Sequence, residues 1–315
     1  MAWRLRPGWR KRSVQNCPST PTRPRASFYV ANAGTIEGLT TTARDLNRSV
    51  EQRLAALETL SLKYSDAAVS AALVLVSDKT PAVARAAADL LASSIVMSDH
   101  KLRGHAALNA RQKYVMERHT LAREALKSVL ESPASETRSI AAGSLSSLSD
   151  QSALTIIQAA VSKGLYSEAD AVNYFGLADP KIGAPFILPY LDRGSPAARV
   201  AAIGYLGANR SYQNMVRDRI LMNTTAAPDT RAAAARVLGQ YDREFPSYAL
   251  SVTLDPKLPA NVYAEVVNGY IAQSQVQGKL DAAKIGILKE SIRNQLSIRP
   301  DPALMTIQQR LDRLL

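Results

Sequence analysis

The sequence holds one cysteine, Cys17. No disulfide can form within the chain, and no cysteine-based zinc site can be built. A lone thiol fits a reducing compartment, which favours a cytoplasmic location, with organelle-targeted and exported forms left open because large exported proteins also do without disulfides. Aromatic residues make up only 6% of the chain, and both tryptophans, Trp3 and Trp9, fall in its first nine residues. Histidine occurs three times, at His100, His105 and His119. No run of 18 apolar residues occurs, so no membrane-spanning helix is expected. Acid is missing from the start of the chain, where Glu37 is the first.

Residues 1–35 instead carry Arg4, Arg6, Arg10, Lys11, Arg12, Arg23 and Arg25. Of the overall formal charge of +12, that segment supplies +7 and the other 280 residues +5. Prolines at 7, 18, 21 and 24 break any long helix there. Three readings stand: a disordered basic arm for nucleic acid or anionic lipid, an organelle-targeting segment, or an extension without function. Ala31 and Ala33 form a small-x-small pattern, but no apolar stretch precedes them, so no signal peptide is expected.

What is abundant is alanine in a recurring context. "SPAARVAAIGYLG" places Arg199 near the front of a proline-started helix. Stepping both ways gives Arg53, Arg85, Arg138, Ala169, Arg199, Arg231 and Val262, spaced by 30–32 residues except for a gap of 53 after Arg85. Three residues on lie Ala56, Ala88, Ala141, Val172, Ala202, Ala234 and Glu265. Seven on lie Leu60, Ala92, Leu145, Gly176, Leu206, Leu238 and Gly269. Spacings of three and seven fall on one helical face, and small residues there let a neighbouring helix lie close. Pro81, Pro133, Pro196, Pro228 and Pro259 precede the anchors, as suits a first helical turn. Asp78, Glu131, Asp192 and Asp255 lie seven residues ahead of them, near the positive end of the helix dipole. Between first helices run second apolar stretches, such as "ALTIIQAAV" and "APFILPYL". One helix pair cannot bury its apolar face alone, and stacked neighbours complete the core. The anchor arginines are expected to stack with the acids and hold the units in register.

This pattern of Asp/Pro, Arg, Ala-Ala and Leu-Gly in units of about 31 resembles HEAT repeats, and in particular the short HEAT-like repeats of the phycobilisome-lyase type. "DPKIGAPFILPYLDRGSPAARVAAIGYLG" carries the resemblance best, and it covers about residues 45–290. The units on Ala169 and Val262 lack the arginine. The resemblance implies an all-α, right-handed α-solenoid of about seven antiparallel helix pairs. It implies little about task, because the same repeats serve unrelated roles.

The long gap reads as an insertion near residues 97–118, with a loop at 97–105 and a second helix lengthened to about residue 130. It holds Lys101, Arg103, Arg111, Lys113 and Arg118 against Asp99 and Glu117, a net +3. Loops inserted in repeats commonly sit at binding surfaces, so these cations are candidate contacts for an acidic partner. Asp99, His100, His105 and His119 are of the types that hold zinc, but no His-Glu-x-x-His spacing joins them, and ordinary histidines are expected.

No catalytic constellation is read, and no cofactor is expected. Lys101, Ala106 and Thr120 follow the histidines, which removes the His-Glu pairs of the HEAT-like di-iron hydroxylases. Residues 45–290 contain no tryptophan, which weakens a likeness to the HEAT-like DNA glycosylases. A relation to bilin lyases would rest on repeat type alone. Residues 302–315 form an amphipathic helix with Leu304, Ile307, Leu311 and Leu314 on one face. The expected organisation is a basic tail (1–35), a solenoid (36–290) and a capping helix (291–315). The second helices would line the concave face, where Tyr190, Tyr212, Arg217 and Arg219 are candidate partner contacts. The expected function is a non-catalytic scaffold for a protein. The alternatives are a nucleic-acid binder using tail and insertion, and an accessory lyase- or chaperone-like subunit.

Overall fold

The computed structural model describes residues 35–63, 65–102, 110–255, 257–278, 281–298 and 300–314, with the side chains of 96–111 excepted. The basic tail lies outside these residues apart from Thr35, as do the side chains of His100, Lys101 and Arg111 and the whole of Arg103 and His105. Among the described residues every regular element is helical, with sixteen α-helices in chain order and no strand. The chain forms an all-α solenoid.

The backbone divides into two compact units, one ending at Leu91 and the other beginning at Ala92. In the first, α1 (Ile36–Arg44), α2 (Val50–Lys63) and α3 (Ser65–Leu75) pack on one another. Leu39, Ala43, Ala56, Leu57 and Leu60 are buried among them. Arg53 of α2 is buried too, only 2% exposed. Its Nε donates to the carbonyl of Ala43 at 3.0 Å, and its Nη atoms reach both carboxylate oxygens of Asp78. The arginine thus ties the end of α1 to the turn ahead of α4 (Pro81–Leu102).

The second unit continues with α5 (Ala110–Ser128), α6 (Ser135–Ser147), α7 (Gln151–Ser162), α8 (Glu168–Leu177), α9 (Pro180–Arg193) and α10 (Pro196–Gly207). A short α11 (Gln213–Val216) runs into a π-helical turn, Arg217–Leu221. Then come α12 (Pro228–Tyr241), α13 (Phe245–Thr253), α14 (Ala260–Val276), α15 (Ala282–Ile298) and α16 (Pro302–Asp312). The even-numbered helices from α6 to α16 pack each on the next, and α7 on α9 and α13 on α15 repeat this for second helices.

The local chemistry follows the repeat. Pro81, Pro196 and Pro228 open their helices, where the missing N–H costs nothing. Asp150, Ser167, Asp179, Ser195 and Asp301 cap helices by accepting a backbone N–H. Ala56, Ala88, Ala141, Val172, Ala202 and Ala234, three after six of the seven anchors, are buried, while Glu265 after Val262 is only half-buried. Two glycines seven after an anchor mark close helix crossings. A Cβ on Gly176 would fall 2.2 Å from the Tyr205 ring, and one on Gly269 would fall 2.7 Å from the Cα of Gly239. The backbones of α12 and α14 therefore touch.

Two expectations are corrected. Residues 97–102 are not loop, because α4 stays helical to Leu102. Asp192 is bound by Arg219 of the π turn rather than by an anchor arginine. The reason is geometric: an acid in the turn meets whichever cation the adjoining helix ends nearest.

Candidate functional site

The second helices of three successive pairs build the surface on which four candidate contacts lie. In α9, "APFILPYL" carries two prolines inside the helix, Pro185 and Pro189. Each removes an N–H, and both sit on the exposed side, where the freed carbonyls meet water. The buried side carries Ile187 and Leu191. Tyr190 stands half-buried at the boundary, its ring 6.3 Å from that of Phe175. Burial pushes the Tyr190 phenol up, and the negative charge of Glu168 adds to this. Glu168 itself is held below its usual range, chiefly by the Ser195 N–H that it accepts at 2.5 Å.

Two residues beyond Tyr190, Asp192 pairs with Arg219, whose Nη1 also lies 3.9 Å from the Met215 sulfur. Arg217, on the same π turn, binds Asp218 at 2.7 Å and sits 5.3 Å from the centre of the Tyr248 ring. Tyr248 in turn donates its hydroxyl to the buried Asp242 at 2.7 Å. Burial first, and the bond to Asp242 second, push the Tyr248 phenol far up, so it remains a donor at every ordinary pH. The π turn is closed by the Met222 N–H on the Arg217 carbonyl at 2.9 Å. Arg217 thus reaches α13 and Arg219 reaches α9, opposite directions that suit residues two apart on a helical turn. Tyr212 stands apart, half-buried at the N-cap of α11.

The described side chains of the insertion, residues 112–118, lie on the part of α5 that stays out of the core. Lys113 is exposed on α5, and the Arg118 Nη1 donates to the Tyr114 hydroxyl at 2.7 Å, with its guanidinium carbon 5.4 Å from the ring centre. Further along α5, Arg123 and Lys127 both bind Asp150, ahead of α7. Burial alone would raise the Asp150 carboxyl, but Ser152, Arg123 and the Ala153 N–H hold it far below the carboxylate range.

Tyr248, Asp242, Asp218, Tyr114 and Leu121 are surface or network residues that the repeat pattern passes over. The pair Tyr114 and Arg118, four apart on a helix, was the one signal available. Among the described residues, no group of three or more His, Cys, Asp or Glu is arranged to hold a metal ion. No helix among them is long and apolar enough to cross a membrane.

No family model matches this chain, and no curated protein matches it. Among solved structures it is similar to the complex of CpcE and CpcF of phycocyanin lyase from Nostoc sp. PCC7120. The identity is 16%, over 97% of this chain and 100% of that one, with a TM-score of 0.37.

Proposed function

We propose that this chain is a non-catalytic HEAT-like scaffold that binds a protein partner. The contact runs along the second helices, with Tyr190, Tyr212, Arg217 and Arg219 at its centre. The basic insertion, with Lys101, Arg103, Arg111, Lys113 and Arg118, adds to it. In this reading residues 36–290 are the binding array, residues 291–315 close its end, and residues 1–35 are a basic extension.

One observation carries the reading: the polar chemistry is strung along the array instead of converging on a point. Arg53 joins Asp78, Arg123 joins Asp150, Arg219 joins Asp192 and Arg236 joins Glu265, each across 25–29 residues of sequence. These links set the register of neighbouring pairs and leave an extended surface for a partner. Arg217 and Arg219 are held in fixed directions by their acids, which lowers the ordering cost of a contact.

The test is affinity capture with the tagged full-length chain in native extract, with nuclease treatment in parallel. The expected result is one protein at stoichiometric yield that survives nuclease and binds the Arg217→Ala/Arg219→Ala variant at least about tenfold more weakly. Both arginines reach solvent, so the loss of their ion pairs should cost little stability, and thermal unfolding of the variant close to that of the parent would separate lost binding from lost fold. Material lost to nuclease would move the function to nucleic-acid binding. A bound small molecule without a protein would move it to a lyase- or chaperone-like subunit.

A further inference from the structure

We infer that the first three turns of α5 dock an acidic amphipathic helix of a partner protein, an inference that rests on the scaffold reading above. From residue 112 to residue 121 no side chain of α5 is buried; the helix first enters the core at Ala122 and then at Leu126. A segment of this length that buries no apolar face is marginal as a helix in water. Yet it carries Tyr114 at 48% exposure and Leu121 at 55%. The two are seven apart and so share one stripe, with Arg118 between them.

The stripe is apolar, cationic, apolar, and the Arg118 contact with Tyr114 fixes its middle. Anchors at this spacing fit the side chains of a second helix laid alongside. Charge selects its kind. Residues 110–121 hold Arg111, Lys113 and Arg118 against Glu117 alone, a net +2. A basic helix, or the same stripe of a second copy, would set like charges together. A nucleic-acid strand would gain from stacking on Tyr114, but Arg118 already lies over that ring, and Leu121 offers a strand nothing.

The experiment titrates the full-length chain against three labelled designed peptides, read by fluorescence anisotropy. One is an acidic amphipathic helix with Leu at positions i, i+4 and i+7. The second has Lys in place of each acid. The third keeps the acidic composition but scatters the leucines. The expected result is binding of the first alone, weakened at least about tenfold by Leu121→Asp and by Arg118→Glu, and by added salt. Both positions lie outside the core, so circular dichroism and thermal unfolding of the variants should match the parent. Equal binding of all three peptides, no binding, preference for the basic peptide or for a uridine oligonucleotide, or dimerisation lost in Leu121→Asp would each overturn the inference. If the captured partner is retained by Leu121→Asp, this inference falls and the scaffold stands. If capture returns no protein, the scaffold reading itself falls.

Discussion

Removing Asp78 tests how the array is stitched. Its carboxylate is 7% exposed and faces Arg53, which is 2% exposed. Burial alone would raise the Asp78 carboxyl, but the hydrogen bonds from Arg53 and Thr80 and the arginine charge outweigh it and hold it below the usual range. Asp78→Ala leaves a buried guanidinium without its counter-charge. Stranding one member of a buried pair costs about 3–5 kcal/mol. Arg53 keeps its bonds to the Ala43 carbonyl and the Thr80 hydroxyl, so the lower end, about 3 kcal/mol, is expected. The loss should be local, because a repeat array senses only its neighbours. Native-state hydrogen exchange reads this directly: amides of α2 should exchange roughly a hundredfold faster, while those of α12 and α14 stay as they were. The double variant Arg53→Met/Asp78→Ala should recover much of the loss, since no charge is then stranded. An effect on α2 below about 1 kcal/mol, or no recovery in the double variant, would refute the reasoning.

Three further outcomes follow from the same packing. Gly269→Ala sets a Cβ 2.7 Å from the Gly239 Cα and 2.8 Å from the Phe245 ring. The gain in helix propensity offsets part of the strain, for a net loss of about 1–2 kcal/mol in denaturant unfolding, whereas Gly286→Ala should stabilise by up to about 1 kcal/mol. Around Gly286 nothing lies within 4 Å of the new carbon. Tyr248→Phe removes the hydroxyl that satisfies the buried Asp242 and should cost about 1–3 kcal/mol by the same assay. Acid should loosen the array: Asp78 and Asp150 are both depressed, so the unfolded chain binds more protons and stability rises with pH. That contribution is full above the ordinary carboxylate pKa of about 4 and falls as pH drops below it through the depressed values, which acid titration followed by circular dichroism would trace.

The fold was legible because helix pairs of one length repeat their burial and capping demands. The small buried residue three after most anchors and the prolines at helix starts are enforced unit by unit, so they recur in sequence. Gly269 could be read as a close crossing, though nothing marked Gly239 as its partner. The staples were harder to see. Arg53 finds Asp78 25 residues on, but Arg219 finds Asp192 27 residues back, so no single spacing encodes them. The π turn depends on a hydrogen bond shifted by one residue, which leaves no mark in hydrophobic periodicity. Residues 97–102 looked like loop for their polar run "SDHKL", yet α4 continues through it to Leu102. Polar residues occur in helices as readily as in loops, so composition alone does not separate the two.

The central claim is that the second-helix face holds a protein. Hydrogen–deuterium exchange of the chain, free and in its captured complex, tests it most directly. The account predicts slowed exchange in α9, in the turn Arg217–Leu221 and in the first turns of α5, with α8, α10 and α12 unchanged. Protection confined to those first helices, or no protection anywhere on a saturated complex, would contradict it.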